Sequence, residues 1–242
     1  MEQQRGVTAI GALILGICIL AGLAALGYLL GKAAIEFRQY ERSVTVKGLA
    51  EREYPADVVI WPLSFTEASN NLEELYSRLE SNADRIRAFL LEQGVQSGEI
   101  SVSPPSIMDK SAQRYGGNDG AEYRYTANRT VTVYSHRVNE IRAMINSVNA
   151  LGKEGIVFSG DDYDNRTQYL FTRLNDVKPE MIEEATTKAR EVAEKFAQDS
   201  ASKLGKIKNA SQGQFTINDR DSNNPHIKAV RVVSTVEYYL SD

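Results

Sequence analysis

The chain has 242 residues, 42% apolar and 25% charged, with a formal net charge of −4. Without a basic excess to neutralise phosphates it is not expected to bind nucleic acid, and its apolar content excludes a disordered chain. One cysteine excludes an intramolecular disulfide and, with two histidines, leaves little material for a metal centre, so no metal and no cofactor is expected.

Between Arg5 and Lys32 the 26 residues Gly6–Gly31 carry no charge. As a helix this run reaches roughly 39 Å, more than the ~30 Å hydrocarbon core of a bilayer. A cleaved signal peptide is the competing reading. Its apolar region is usually about 7–15 residues long and ends at a small-x-small cleavage site, whereas Gly31-Lys32-Ala33-Ala34 is a poor one. Residues 6–31 are therefore predicted as an uncleaved membrane anchor, after a tail at 1–5 and before a linker at 32–42. Ala9, Ala12, Gly16, Gly27, Gly31 and Ala34 fall within one arc of about 100°. Gly27-x-x-x-Gly31 has the spacing at which membrane helices pack closely, so Gly16, Gly27 and Gly31 form a candidate helix-packing face. Cys18, inside the run, reads as a small hydrophobe. Charge leaves the orientation open. Lys32, Arg38 and Arg42 against Arg5 would put the C-terminal side in the cytoplasm, yet long domains translocate largely regardless of charge.

From Ser43 the pattern alternates strand pairs with helices. Ser43–Ala50 reads as a strand. Beyond the turn at Tyr54-Pro55-Ala56 comes a second, in which Val59, Trp61, Leu63 and Phe65 share a face. Pro62 cannot donate to a ladder, which predicts a free edge or a bulge there. Asn70 with Glu73 resembles a capping box, Leu72, Leu75, Leu79, Ile86 and Leu90 form an apolar stripe, and Gly94 ends the helix. Strands follow at Ile100–Met108 and Tyr123–Tyr134, around a polar Arg114–Gly120 loop; Tyr123, Tyr125, Ala127, Val131 and Val133 share a face. A second helix carries Val138, Ile141, Ile145 and Val148 and ends before Gly152. Strands are predicted near Ile156–Tyr163 and Thr167–Leu174. The third helix runs from Pro179 to Leu204 on a stripe of Ile182, Ala185, Ala189, Val192, Phe196 and Ala197. Final strands lie near Ile207–Ile217 and Ile227–Leu240. Leu151-Gly152-Lys153 and Leu204-Gly205-Lys206 suggest equivalent helix ends. The predicted class is α+β: a largely antiparallel sheet with three helices in the order ββαββαββαββ, preceded by one transmembrane helix.

Val44-Thr45-Val46-Lys47-Gly48, Pro55-x-Asp57 and Tyr123-x-Tyr125-x-Ala127 running into Val131-x-Val133 resemble the SIMPL-domain family over roughly residues 43–240. Ala56-Asp57-x-x-Ile60-Trp61-Pro62-Leu63, the run Lys178–Thr186 and Asp219-Arg220-Asp221-Ser222-x-x-Pro225-His226-Ile227-Lys228 are similar to a membrane-anchored bacterial subgroup. The resemblance implies a 43–242 domain in the periplasm, Met1–Arg5 in the cytoplasm, self-association into ring- or channel-like homo-oligomers in some members, and a link to envelope or oxidative stress in others. It supplies no catalytic residues.

Direct chemistry is thin. Asp161, Asp162, Asp164 and Asn165 lack the pattern of a calcium loop and read as a solvated turn. His136 and His226 have no ligand at metal spacing. No Gly-x-Ser-x-Gly elbow is present, and Gly116-Gly117-Asn118-Asp119-Gly120 lacks the lysine of a phosphate loop. The turn-rich Asp219, Arg220 and Asp221 loop is either a subunit contact, with Arg220 reaching a neighbour's carboxylate, or a hairpin tip capped by its own aspartates. The expected function is non-enzymatic: an inner-membrane protein assembling with itself, its partners being the bilayer through 6–31 and other copies, which would cover the edges of the Pro62 strand and of the final strand through Tyr239. The alternative is a small-ligand-binding module or hydrolase with an inter-sheet cleft lined by Trp61, Tyr123 and Tyr125.

Overall fold

The computed structural model describes residues 2–40, 42–112, 122–159 and 165–241, with side chains throughout these except 2–13 and 34–40. The loop at 114–120 and the aspartates 161, 162 and 164 lie outside the described residues. The chain is α+β with antiparallel sheets. An N-terminal helix α1 (Glu2–Tyr40) precedes β1 (Ser43–Pro55) and β2 (Val58–Ser69). Next come α2 (Leu72–Glu92), β3 (Ile100–Val102), β4 (Ser106–Asp109), β5 (Tyr125–Ser135), α3 (Val138–Met144), α4 (Asn149–Lys153) and β6 (Gln168–Leu170). Last are α5 (Leu174–Asp199), β7 (Lys203–Gln212), β8 (Thr216–Asp219) and β9 (Ile227–Ser241). Two compact units result, one of Met1–Ala50, Pro179–Phe215 and Val232–Asp242, the other of Glu51–Lys178 and Thr216–Arg231.

The second unit is built on the sheet β3-β5-β2-β6, with β4 also on β5. Val59, Trp61, Leu63 and Phe65 are all buried, as their alternation predicts, against Leu75, Leu79, Ile86 and Leu90 of α2. The register of β2 with β5 runs unbroken from Val59↔Ser135 to Ser69↔Tyr125, so Pro62 makes no bulge. On the other side of β2, β6 covers only Val58–Ile60. Further along, Ser64 O accepts from Ser159 N and Thr66 N donates to Val157 O. Even-numbered residues therefore present their backbone to this side, and Pro62, with nothing to donate, sits at the gap. The strand is thus interior, and of the expected free edge or bulge the described residues show only a one-residue gap.

Several boundaries differ from the sequence expectation. The N-cap of α2 is Asn71, whose Oδ1 accepts from Glu73 N at 2.9 Å and Glu74 N at 3.3 Å. Asn70 instead bonds Glu122 O and Arg124 N across the loop. Pro104 and Pro105 have no N–H for a ladder, so the predicted Ile100–Met108 strand is split into β3 and β4, both on β5. In place of a strand at Ile156–Tyr163 the described residues show a single bridge, Phe65↔Phe158. The segment after Thr167 forms only the short β6, because α5 begins at Leu174 and Pro179 lies inside it, not in its first turn.

The predicted pairing of Gly152 with Gly205 also fails. Gly152 is within α4 and Gly205 within β7, against the Tyr239 backbone. A true echo exists elsewhere. Gly94 (φ 92°) and Gly155 (φ 94°) each take the left-handed conformation after a helix. The next N–H then reaches back, Val95 to Leu90 O and Ile156 to Leu151 O, with all four side chains buried. These are matching helix-terminating motifs with their hydrophobic contact.

In the first unit the strand order is β1-β9-β7. The final strand is therefore interior, not an edge: Leu240 pairs with Leu204 and its N–H also bonds Arg42 O. The predicted Ile207–Ile217 strand is two strands, since the chain leaves the ladder after Gln212 and Gly213 N donates to Val233 O. A Cβ on Gly48 would lie 1.8 Å from Ala185 O and 2.5 Å from Ala189 N, so β1 rides directly on the α5 backbone. Such an approach admits only small side chains. The residues of α5 beneath Gly48 are accordingly Ala185 and Ala189, with Met181, Ala193 and Ala197 buried on either side of them, while the expected Val192 and Phe196 are turned outward at 41% and 55% exposure. The helix ends on Ala201 in the left-handed region (φ 51°), ahead of the expected Gly205.

Candidate functional site

Three places bear on function. The first is α1, whose window Ile14–Ala33 is 20 residues long, with no charged residue until Lys32, and long and apolar enough to cross a membrane. Its large apolar side chains are more than half exposed all round, Leu20 and Tyr28 most of all. Cβ atoms added at Gly16, Gly27 or Gly31 would meet nothing within 4 Å, so the candidate packing face is unoccupied by this chain's described residues. Cys18 lies exposed on the same helix.

The second is the turn before β2. Burial works against ionisation of Asp57, but Thr172, with a backbone N–H and Arg173 alongside, outweighs it. Thr172 donates from N at 2.6 Å and Oγ1 at 2.5 Å, so Asp57 stays below the usual carboxylate range. Asp57 N–H donates to Leu170 O, and His136 Nδ1 lies 3.2 Å from Asp57 O. Tyr54 stacks on Phe171 at 5.2 Å. These contacts clamp the turn to the segment following β6, a structural role.

The third is the β8–β9 hairpin with β6. Arg220 Nε bonds Asp221 Oδ2 at 2.9 Å and its NH1 lies 3.5 Å from Glu53. Asp221 Oδ1 accepts from Asn223 N and Asn224 N, both at 2.9 Å. The expected contact loop thus satisfies its charges within its own chain. Asp219 pairs across the ladder with Lys228, bonding its ammonium. Lys228 is only 7% exposed. Beside it a polar depression of about 400 Å³ is lined by Arg166, Gln168, Tyr169, Asp219, Pro225 and Lys228. The ring of His226 meets Tyr169 edge-on at 6.1 Å. Burial pushes the His226 pKa down, and Arg142 and Arg220 push it further against the opposing pull of Asp221.

A profile of the SIMPL family, described as a protein of unknown function (DUF541), matches residues 44–236. The chain belongs to the SIMPL family. No curated protein gives a significant match. The match covers both units, and the motifs that carried the resemblance have distinct tasks in the SIMPL domain. Gly48 permits the β1–α5 approach, Asp57 clamps its turn, and Ala127, Val131 and Val133 fill the sheet core.

Sequence reasoning missed Arg166, Thr172 and Lys228. A lone lysine on a strand gives no sign of burial; only the pairing of β8 with β9 reveals it. The proposed cleft lining does not form as such: Trp61 is 4% exposed inside the core, Tyr125 packs against that core beneath Arg124, and Tyr123 is exposed outside the strand. Trp61 faces α2 because it shares the inward parity of Val59 and Leu63. Among the described residues no three His, Cys, Asp or Glu side chains converge as a metal site.

Proposed function

We propose that this SIMPL protein belongs to a membrane-anchored bacterial subgroup and works without catalysis. It is held in the inner membrane by residues 6–31, with its domain in the periplasm, and assembles into a ring- or channel-like homo-oligomer that serves the envelope under stress. The observation that carries this reading is the window Ile14–Ala33, whose apolar side chains have no cover among the described residues. Its span of roughly 30 Å matches the bilayer core. Self-association is supported by the outward Val192 and Phe196, one turn apart on α5. Spheroplast proteolysis tests the topology: external protease should degrade the C-terminal domain, and protection of that domain while a periplasmic marker is cut overturns it. Intact mass of the membrane-extracted chain should include residues 1–31, and light scattering of the detergent particle should give several subunits. A cleaved N-terminus or a monomer would refute the respective half of the proposal.

A further inference from the structure

The depression beside β6 and the β8–β9 hairpin holds more positive charge than its described neighbours balance. An ammonium has three N–H donors. In the buried Lys228 one is taken by Asp219, and no other acceptor bonds it among the described residues. Buried donors left unmatched are costly, which favours an acceptor in the depression. Arg166, exposed on the same rim, makes no ion pair among the described residues, and its planar donors suit an oxyanion. Gln168 adds a neutral donor. Arg142 stands close enough to act electrostatically on both Tyr169 and His226. Asp219 is the resident counter-charge, and its side chain is half exposed, so it can yield the ammonium to a competing anion.

We propose that this depression is a binding site for a small oxyanion, a carboxylate or phosphate group, held between the Lys228 ammonium and the Arg166 guanidinium, with Asp219 acting as an internal occupant that the ligand displaces.

The test is calorimetric titration of the full-length protein in neutral detergent with inorganic phosphate and, separately, succinate, at ionic strength held constant with chloride. Saturable binding of one or both is expected, and which probe binds identifies the group recognised. Arg166→Gln, an exposed change, should weaken binding about tenfold through loss of a charge-assisted contact. Asp219→Asn should tighten it about tenfold by removing the competitor, and should melt lower than wild type until the anion restores it. Lys228→Met should abolish binding; should it fail to fold, as judged by circular dichroism, the Arg166 and Asp219 variants decide alone. Absence of saturable binding by both probes, an equal response to chloride, or unchanged affinity in both variants would overturn the proposal.

Discussion

Replacing Gly48 by alanine adds one methyl group where no side chain fits. The new Cβ would stand 1.8 Å from Ala185 O, against 3.4 Å for ordinary contact, so strand or helix must retreat by about 1.6 Å. The obstructing atoms are backbone carbonyl and amide of α5, which cannot rotate aside. Retreat would open the cluster of Val46, Ala189, Ala193, Val236 and Tyr238, all buried. Overpacking usually costs about 1–3 kcal/mol; with rigid obstruction and a loosened cluster, about 3 kcal/mol or more is expected. In a domain near 200 residues that lowers the melting temperature by roughly 6–12 °C. Urea denaturation of the full-length protein in detergent, followed by circular dichroism, measures it. Gly152→Ala is the control, since its Cβ meets nothing within 4 Å and sits in α4, where alanine should stabilise by up to about 1 kcal/mol. A Gly48→Ala protein within about 0.5 kcal/mol of wild type, the range of an unconstrained surface change, would refute the close approach of β1 to α5.

Ala201→Gly should stabilise by about 1 kcal/mol, because alanine at φ 51° carries a steric penalty that glycine avoids; the same denaturation curve reads it, and a loss of stability would count against the helix end described. Burial raises the Glu99 pKa, but Arg137, the Ser135 hydroxyl and Gln96 N–H together hold it at about 2. A depressed carboxylate stabilises above its unfolded value near 4.5 and loses that contribution as pH falls towards 2. Glu99→Gln should therefore cost about 2–3 kcal/mol at neutral pH, with the difference from wild type vanishing near pH 2; a difference independent of pH would contradict it. Gly27→Leu with Gly31→Leu should change the detergent stability of the particle but not its subunit number, checked by light scattering; dissociation would move the driving contact into α1.

Legibility in the sequence followed the size of the residues that carry each pattern. The inward face of β2 and the stripe of α2 were readable because large side chains recur there at periods of 2 and 3.6. On α5, Ala185, Ala189 and Ala197 were read correctly, but Val192 and Phe196 were added because they outweigh alanines by hydrophobicity, while a strand lying against the helix through Gly48 selects for smallness. The end of α2 was readable because Gly94 supplies the left-handed residue, whereas that of α4 falls at Gly155 instead of the expected Gly152 and that of α5 was misread because Ala201 takes the role. The interior place of β9 and the meeting of Arg166 and Gln168 with the β8–β9 hairpin depend on contacts between distant segments, to which local periodicity is blind. The anion site was invisible for the same reason.

Pro62 has a consequence for assembly. On the side of β2 away from β5, Ile60 is spoken for by Gln168, Ser64 by Ser159 and Thr66 by Val157. Between them, among the described residues, only the carbonyl of residue 62 is left over. A foreign strand laid along this margin would find a lone acceptor and no donor, too little to template growth. Among the described residues, the opening in the sheet therefore gives a docking strand almost nothing to bond, and edge pairing is disfavoured there by chemistry.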